Sequence, residues 1–179
     1  MKRFLCLVLA LCALVIWEAG APASARPAAA PAPSARFITP AQLRATLASR
    51  KGRGVVLHLW ATWCEPCLNE LPLLAKLARE ASSRGIDFLP VSLDDPTEQA
   101  AALVGRVLAA KTGNSQWSPI LQTDNLDSLI GDLDPRWEGE IPVFFGFDRE
   151  GRLRSTVVGN LTRTYFERLA KDLLLPETR

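Results

Sequence analysis

Hydrophobic and polar positions change their period several times along this chain, and each change marks an element. "VVLHLW", residues 55–60, is a nearly unbroken apolar run with β-branched residues, the pattern of a strand covered on both faces. From Cys64 the period lengthens. Leu68, Leu71, Leu74, Leu77 and Ala78 fall on one helical stripe, and Pro72 within it is expected to kink that helix rather than end it. "IDFLPVSLD" (86–94) and "SPILQTD" (118–124) read as further strands, and two β-rich runs, 141–148 and 152–159, flank a turn at Gly151 as in a hairpin.

Helix boundaries come from the caps. Thr39 as N-cap and Pro40 as first residue start a short helix to about Arg50. Asp95 as cap, Pro96 as first residue and Gly113 as terminator frame a longer one, and "NLDSLIGDL" (125–133) fits a short helix before the loop 134–140. A last helix runs from about Thr162 to Leu174, boxed by Thr164 and Glu167 and ended by Pro176. Strands alternate with helices in the first half and a hairpin plus helix completes the second. The sum is an α/β sandwich with parallel strands in the middle and an antiparallel pair at the edge.

The ends change the arithmetic. Lys2 and Arg3, an apolar run from Phe4 to Trp17, and the small-residue pattern Ala23-Ser24-Ala25 form a secretory signal over residues 1–25, too short to span a bilayer comfortably but able to anchor if left uncleaved. "RPAAAPAPSAR" (26–36) reads as a Pro/Ala-rich tether, and 37–179 as one folded domain. Cys6 and Cys12 fall inside the signal, so the mature chain keeps only Cys64 and Cys67, too few for a disulfide framework. With 21 basic and 19 acidic residues spread along the sequence, nothing points to a nucleic-acid partner.

Four readings compete for the pair in "LWATWCEPCLNELP" (59–72). Covalent haem needs a histidine after the second cysteine, and residue 68 is Leu. Structural zinc needs four ligands, whereas the mature chain offers two thiols and the imidazole of His58. A permanent disulfide over so short a loop removes little chain entropy. The redox reading explains more: Cys64 follows a buried strand and heads a helix whose N-terminal partial charge favours thiolate, and Cys67, one turn on, can resolve a mixed disulfide. Glu65 and Glu70 place negative charge nearby, which raises thiol pKa values and lowers the reduction potential, the direction of a reductant. Two plainer readings stand beside these, Glu65 as a solvated first-turn residue and His58, six residues before Cys64, as a core histidine bonded to backbone.

"WATWCEPC" (60–67) followed by "LNELP", together with "GEIPVFFGFDREGRL" (139–153), resembles the extracytoplasmic TlpA/ResA branch of the thioredoxin superfamily. The resemblance implies a thioredoxin-like three-layer sandwich, a mixed central sheet flanked by helices, with a helical insertion around residues 94–138. It implies Cys64 as nucleophile, Cys67 as resolving cysteine, Pro142 as a cis-proline facing them, and Glu70 as a glutamate that influences thiol acidity. Trp63, Glu65, Pro66 and Ile141 then line the substrate face. His58 stands where thioredoxins keep a buried acid that relays a proton, and this branch often Asn or Asp; an imidazole could serve as that relay. "PVFFGFD" is bulkier than the family's usual "PTTFLID" through Phe144 and Phe145.

The function so implied is an exported, periplasmic thiol:disulfide oxidoreductase acting mainly as a disulfide reductase, with no metal and no cofactor beyond the redox-active cysteine pair. Expected partners are client proteins with disulfides, apocytochrome c among them, and a membrane electron donor of the thiol-reducing type; the expected state is a monomer. Two alternatives are a copper-handling thioredoxin-like binding module, which usually adds a histidine downstream where this chain has none after residue 58, and a disulfide-forming oxidase.

Overall fold

The computed structural model describes residues 34–175; the segments read as export signal and most of the tether, and Pro176, lie outside the described residues. In chain order the elements are β1 (Phe37–Ile38), α1 (Pro40–Ala48), β2 (Gly54–Trp60), α2 (Glu65–Ser82), β3 (Ile86–Ser92), α3 (Glu98–Thr112), β4 (Ile120–Leu121), α4 (Leu126–Leu133), β5 (Val143–Phe147), β6 (Leu153–Val158) and α5 (Arg163–Leu174). One six-stranded sheet has the order β1-β4-β3-β2-β5-β6. The first four are parallel, and β5 turns the sheet antiparallel against β2 and β6.

β2 is central and buried at all seven positions, as a strand covered on both faces must be. Its side chains alternate. Val55, Leu57 and Leu59 join Leu43 of α1, Leu129 and Leu133 of α4, and Trp137 on one face. Val56 and Trp60 point the other way, where α2, α3 and α5 supply Leu74, Leu77, Val104, Leu108, Phe166 and Leu173. His58, between Val56 and Trp60, shares this second face. Helix α5 approaches β5 so closely that a Cβ at Gly146 would stand 2.8 Å from Leu169 Cδ1, which explains a glycine inside a core strand.

Several caps differ from the sequence reading. Helix α3 is capped by Thr97, whose hydroxyl accepts from the Ala100 N–H, and not by Asp95. Asp95 and Pro96 belong to the turn before it, where Asp95 O accepts from the Thr97 N–H. Helix α5 is capped by Thr162, which accepts from the Tyr165 N–H; Glu167 pairs with Arg84 instead of closing a box with Thr164. Gly113 does end α3, in the left-handed conformation, and Pro72 lies inside α2 without ending it. "SPILQTD" contributes only Ile120–Leu121 as strand, paired with the unanticipated β1. Ala35 and Arg36, within the stretch read as tether, bond to the body through Ala101 O and the Ile120 N–H.

Candidate functional site

β2 delivers the chain to the C-terminal end of the parallel strands, and the turn 61–63 sends it back as α2. Asp94 fixes that turn. Its carboxylate accepts from the Thr62 N–H at 2.9 Å, from the Thr62 hydroxyl and from the Ser92 hydroxyl at 2.6 Å, while Trp60 Nε1–H donates to Ser118 Oγ at 2.9 Å. Sequence reading missed Thr62, Ser92, Asp94 and Ser118 as supports, because each bond joins residues far apart in the chain or hides in a loop without periodicity.

Cys64 is the N-cap of α2 and Cys67 sits in its first turn; the two are joined at S–S 1.98 Å. The Cys67 N–H donates to Cys64 Sγ at 3.3 Å, so the helix start aims a backbone dipole at that sulfur. Cys64 keeps 6% of its surface exposed and Cys67 none. Of the two residues, only the first reaches the surface. Ile141 O lies 3.8 Å from Cys64 Sγ, and the Ile141–Pro142 bond is cis. Trp63 (69% exposed), Glu65 and Pro66 stand open around Cys64, and Ile141 is half-buried.

Glu70 is buried, on the same side of α2 as Cys67. Its Oε2 accepts from the Leu161 N–H at 3.0 Å and from Asn160 Nδ2 at 3.5 Å, and Asn160 Nδ2 also donates to Pro66 O at 3.2 Å. Its Oε1 comes within 3.3 Å of His58 Nε2, though the two are not aligned for a hydrogen bond. His58 is fully buried and lies flat on Phe144, ring centroids 4.4 Å apart and planes at 7°. Burial pushes the imidazole below its ordinary pKa, with Glu70 opposing, so the neutral ring is the form the fold favours. The histidine bonds to no backbone carbonyl, so the bland expectation for it does not hold. Asn160 and Leu161, about ninety positions downstream of Glu70, left no signal in the sequence. Among the described residues no cluster of metal-ligating side chains occurs and no helix is long and apolar enough to cross a membrane.

A strand–turn–helix that presents a vicinal cysteine pair against a cis-proline, on a mixed sheet with helices on both faces, defines the thioredoxin-like class. Residues 27–173 match the Redoxin family, and the chain belongs to it. It is 27% identical over 125 residues to thiol-disulfide oxidoreductase ResA of Geobacillus kaustophilus, covering 68% of this chain and 64% of that protein. The chain thus spans a little less than two thirds of that relative's length. Among solved structures it resembles a thiol:disulfide interchange protein of the thioredoxin family from Chlorobium tepidum (25% identity, TM-score 0.56, 70% of this chain and 83% of that one). It is equally close to the exposed lipoprotein thioredoxin Etrx1 of Streptococcus pneumoniae (25%, TM-score 0.55, 71% and 90%).

Proposed function

We propose that this chain is a thiol:disulfide oxidoreductase that works mainly as a disulfide reductase outside the cytoplasm. The observation that carries the reading is the asymmetry of the pair, one cysteine reaching the surface at a helix N-terminus beside Ile141 and the other enclosed behind it. In the reduced form Cys64 attacks a client disulfide as thiolate, and one client sulfur leaves. Cys67 then attacks Cys64, the second client sulfur leaves, and two electrons have passed from the cysteine pair to the client. No cofactor is required beyond the sulfurs. The names of the relatives as thiol-disulfide oxidoreductases support the reaction class, and the interchange and exposed-lipoprotein neighbours support an extracytoplasmic site.

Glu65 at the mouth and Glu70 behind Cys67 place negative charge against the thiolates, which favours the reducing direction. An oxidising compartment then requires a membrane donor of thiol reductant to recharge the pair. Clients are disulfide-bearing proteins met in an extended conformation at Trp63, Pro66 and Ile141; apocytochromes c awaiting haem are the narrower candidate. The test is Cys67→Ala in the exporting cell, which should hold clients disulfide-linked to Cys64. An empty trap together with no insulin reduction by the unaltered protein would rule out the reaction, while a trap lacking apocytochromes would rule out only the narrower client.

A further inference from the structure

At the end of β2 away from the cysteines, the first core cluster borders a hollow of about 340 Å³ between α1, the start of β2, α4 and the end of β5. Its floor is carbon. Leu43 and Leu47 come from α1, Val55 from β2, Leu129 and Leu133 from α4, and Phe147 from β5. The volume falls within the range of small-ligand sites, near its lower end. Hollows floored by aliphatic and aromatic side chains tend to stay dry and take apolar guests.

Charge is confined to the rim and differs between its two lips. On one, the loop after α1 carries Arg50, Lys51 and Arg53; Arg50 and Arg53 share the carboxylate of Asp87 at 2.8 and 2.7 Å, so one of their two positive charges goes uncompensated. Lys51 is exposed and has no ion-pair partner among the described residues. On the other lip stand Asp148 and Glu150, held by Arg152 at 3.0 and 3.1 Å, and Asp148 also accepts from the N–H groups of Glu150 and Arg152. The acidic lip is therefore satisfied and the basic one is not. Arg44, the remaining cation of the rim, is already engaged. The two lips are joined where the Gly52 N–H donates to Arg149 O at 2.7 Å.

We propose that this hollow binds a single-chain amphiphilic carboxylate, a medium-chain fatty acid, with its alkyl chain over Leu43, Val55 and Phe147 and its head at Lys51 and the Arg50–Arg53 pair. An uncharged chain would cover the floor and leave the basic lip unmatched, whereas a small hydrophilic anion would meet the lip and leave the floor uncovered. A guest with both parts uses both. Binding is non-covalent and draws on nothing at the cysteine pair, which lies beyond the far end of β2, roughly 17 Å along the strand from Val55. The site thus stands or falls apart from the redox reading.

Calorimetric titration of the full chain with octanoate and decanoate, both kept well below micelle formation, is the test. One saturable site is expected, with decanoate bound about fifteenfold more tightly than octanoate, because each buried methylene contributes about a factor of four. Lys51→Glu should weaken decanoate about threefold or more and leave the uncharged decanol unchanged. Leu47→Trp, which fills the hollow, should weaken both about tenfold or more, its urea midpoint showing that the variant is folded. If that variant does not fold, the response of decanoate against decanol in Lys51→Glu decides alone. No saturable heat, equal affinity for octanoate and decanoate, decylammonium bound as tightly as decanoate, or decanoate binding untouched by either variant would each overturn the proposal. Sedimentation with phosphatidylglycerol vesicles in the absence of decanoate binding would assign the basic lip to a membrane surface and overturn it as well.

Discussion

Asp134 and Glu70 are both buried carboxylates, and they are treated in opposite ways. Asp134 accepts four hydrogen bonds: from the Arg136 N–H at 3.0 Å, from Arg136 Nε and Nη2 at 2.9 Å each, and from the Thr156 hydroxyl at 2.8 Å. Those donors, Arg136 first, hold its pKa far below the ordinary carboxylate range. Glu70 has one good bond on one oxygen and none on the other. The first arrangement closes a corner where the loop after α4 meets β6. The second leaves one buried polar atom without a hydrogen-bond partner under the helix that carries the cysteines, which a structural strut avoids.

The strongest way to break this contrast is through the ring that props the idle site. Phe144 is fully buried between His58 and the α5 face, so Phe144→Ala should destabilise the protein by about 3–5 kcal/mol and free the imidazole from its plane. Urea unfolding measures the loss, and a change below about 1 kcal/mol would mean that the shelf is not packed as described. Next comes the pair of carboxylates. Asp134→Ala should cost about 1–2 kcal/mol by leaving the half-buried Thr156 hydroxyl without its acceptor, the exposed Arg136 guanidinium turning to water, while leaving insulin reduction unchanged. Glu70→Gln, which can still accept from Leu161, should cost no more than about 1 kcal/mol yet slow exchange about tenfold or more. Reversed rankings would erase the distinction.

The smallest effect is a slope. Because the folded His58 has a depressed pKa, the unfolded chain binds the extra proton first; stability is intact above pH 6.5 and declines as the pH falls from there towards the folded value. Asp134 adds a separate loss only below pH 3.8, as acidification runs down towards its own lowered value. Denaturant midpoints taken from pH 7.5 downward should show the first decline in the unaltered protein and not in His58→Asn, with the Asp134 decline present in both.

Local features were legible in the sequence and reciprocal ones were not. The cysteine pair, the doubly covered strand 55–60, the Gly113 stop and the hairpin at Gly151 each declare themselves within a few residues. In "DDPTEQ" Asp95 before Pro96 has the sequence pattern of a cap, and only the extended backbone of Thr97 shows that the threonine serves instead. Strand β1 has two residues and no periodicity to detect, since its pairing with β4 spans more than eighty positions. Glu70 reads correctly as a neighbour of Cys67 from helical spacing alone. That it also bonds Leu161 and faces His58 depends on how α2 lies across the sheet, a property of packing that no short window contains.

The strap formed by Asn160 and Leu161 has a mechanical meaning. Bonded to Pro66 and Glu70, it locks the opening turn of α2 to the entrance of α5, so neither can swing without the other. The residues beside the cysteine pair are thereby tied to a segment of chain more than ninety positions further on.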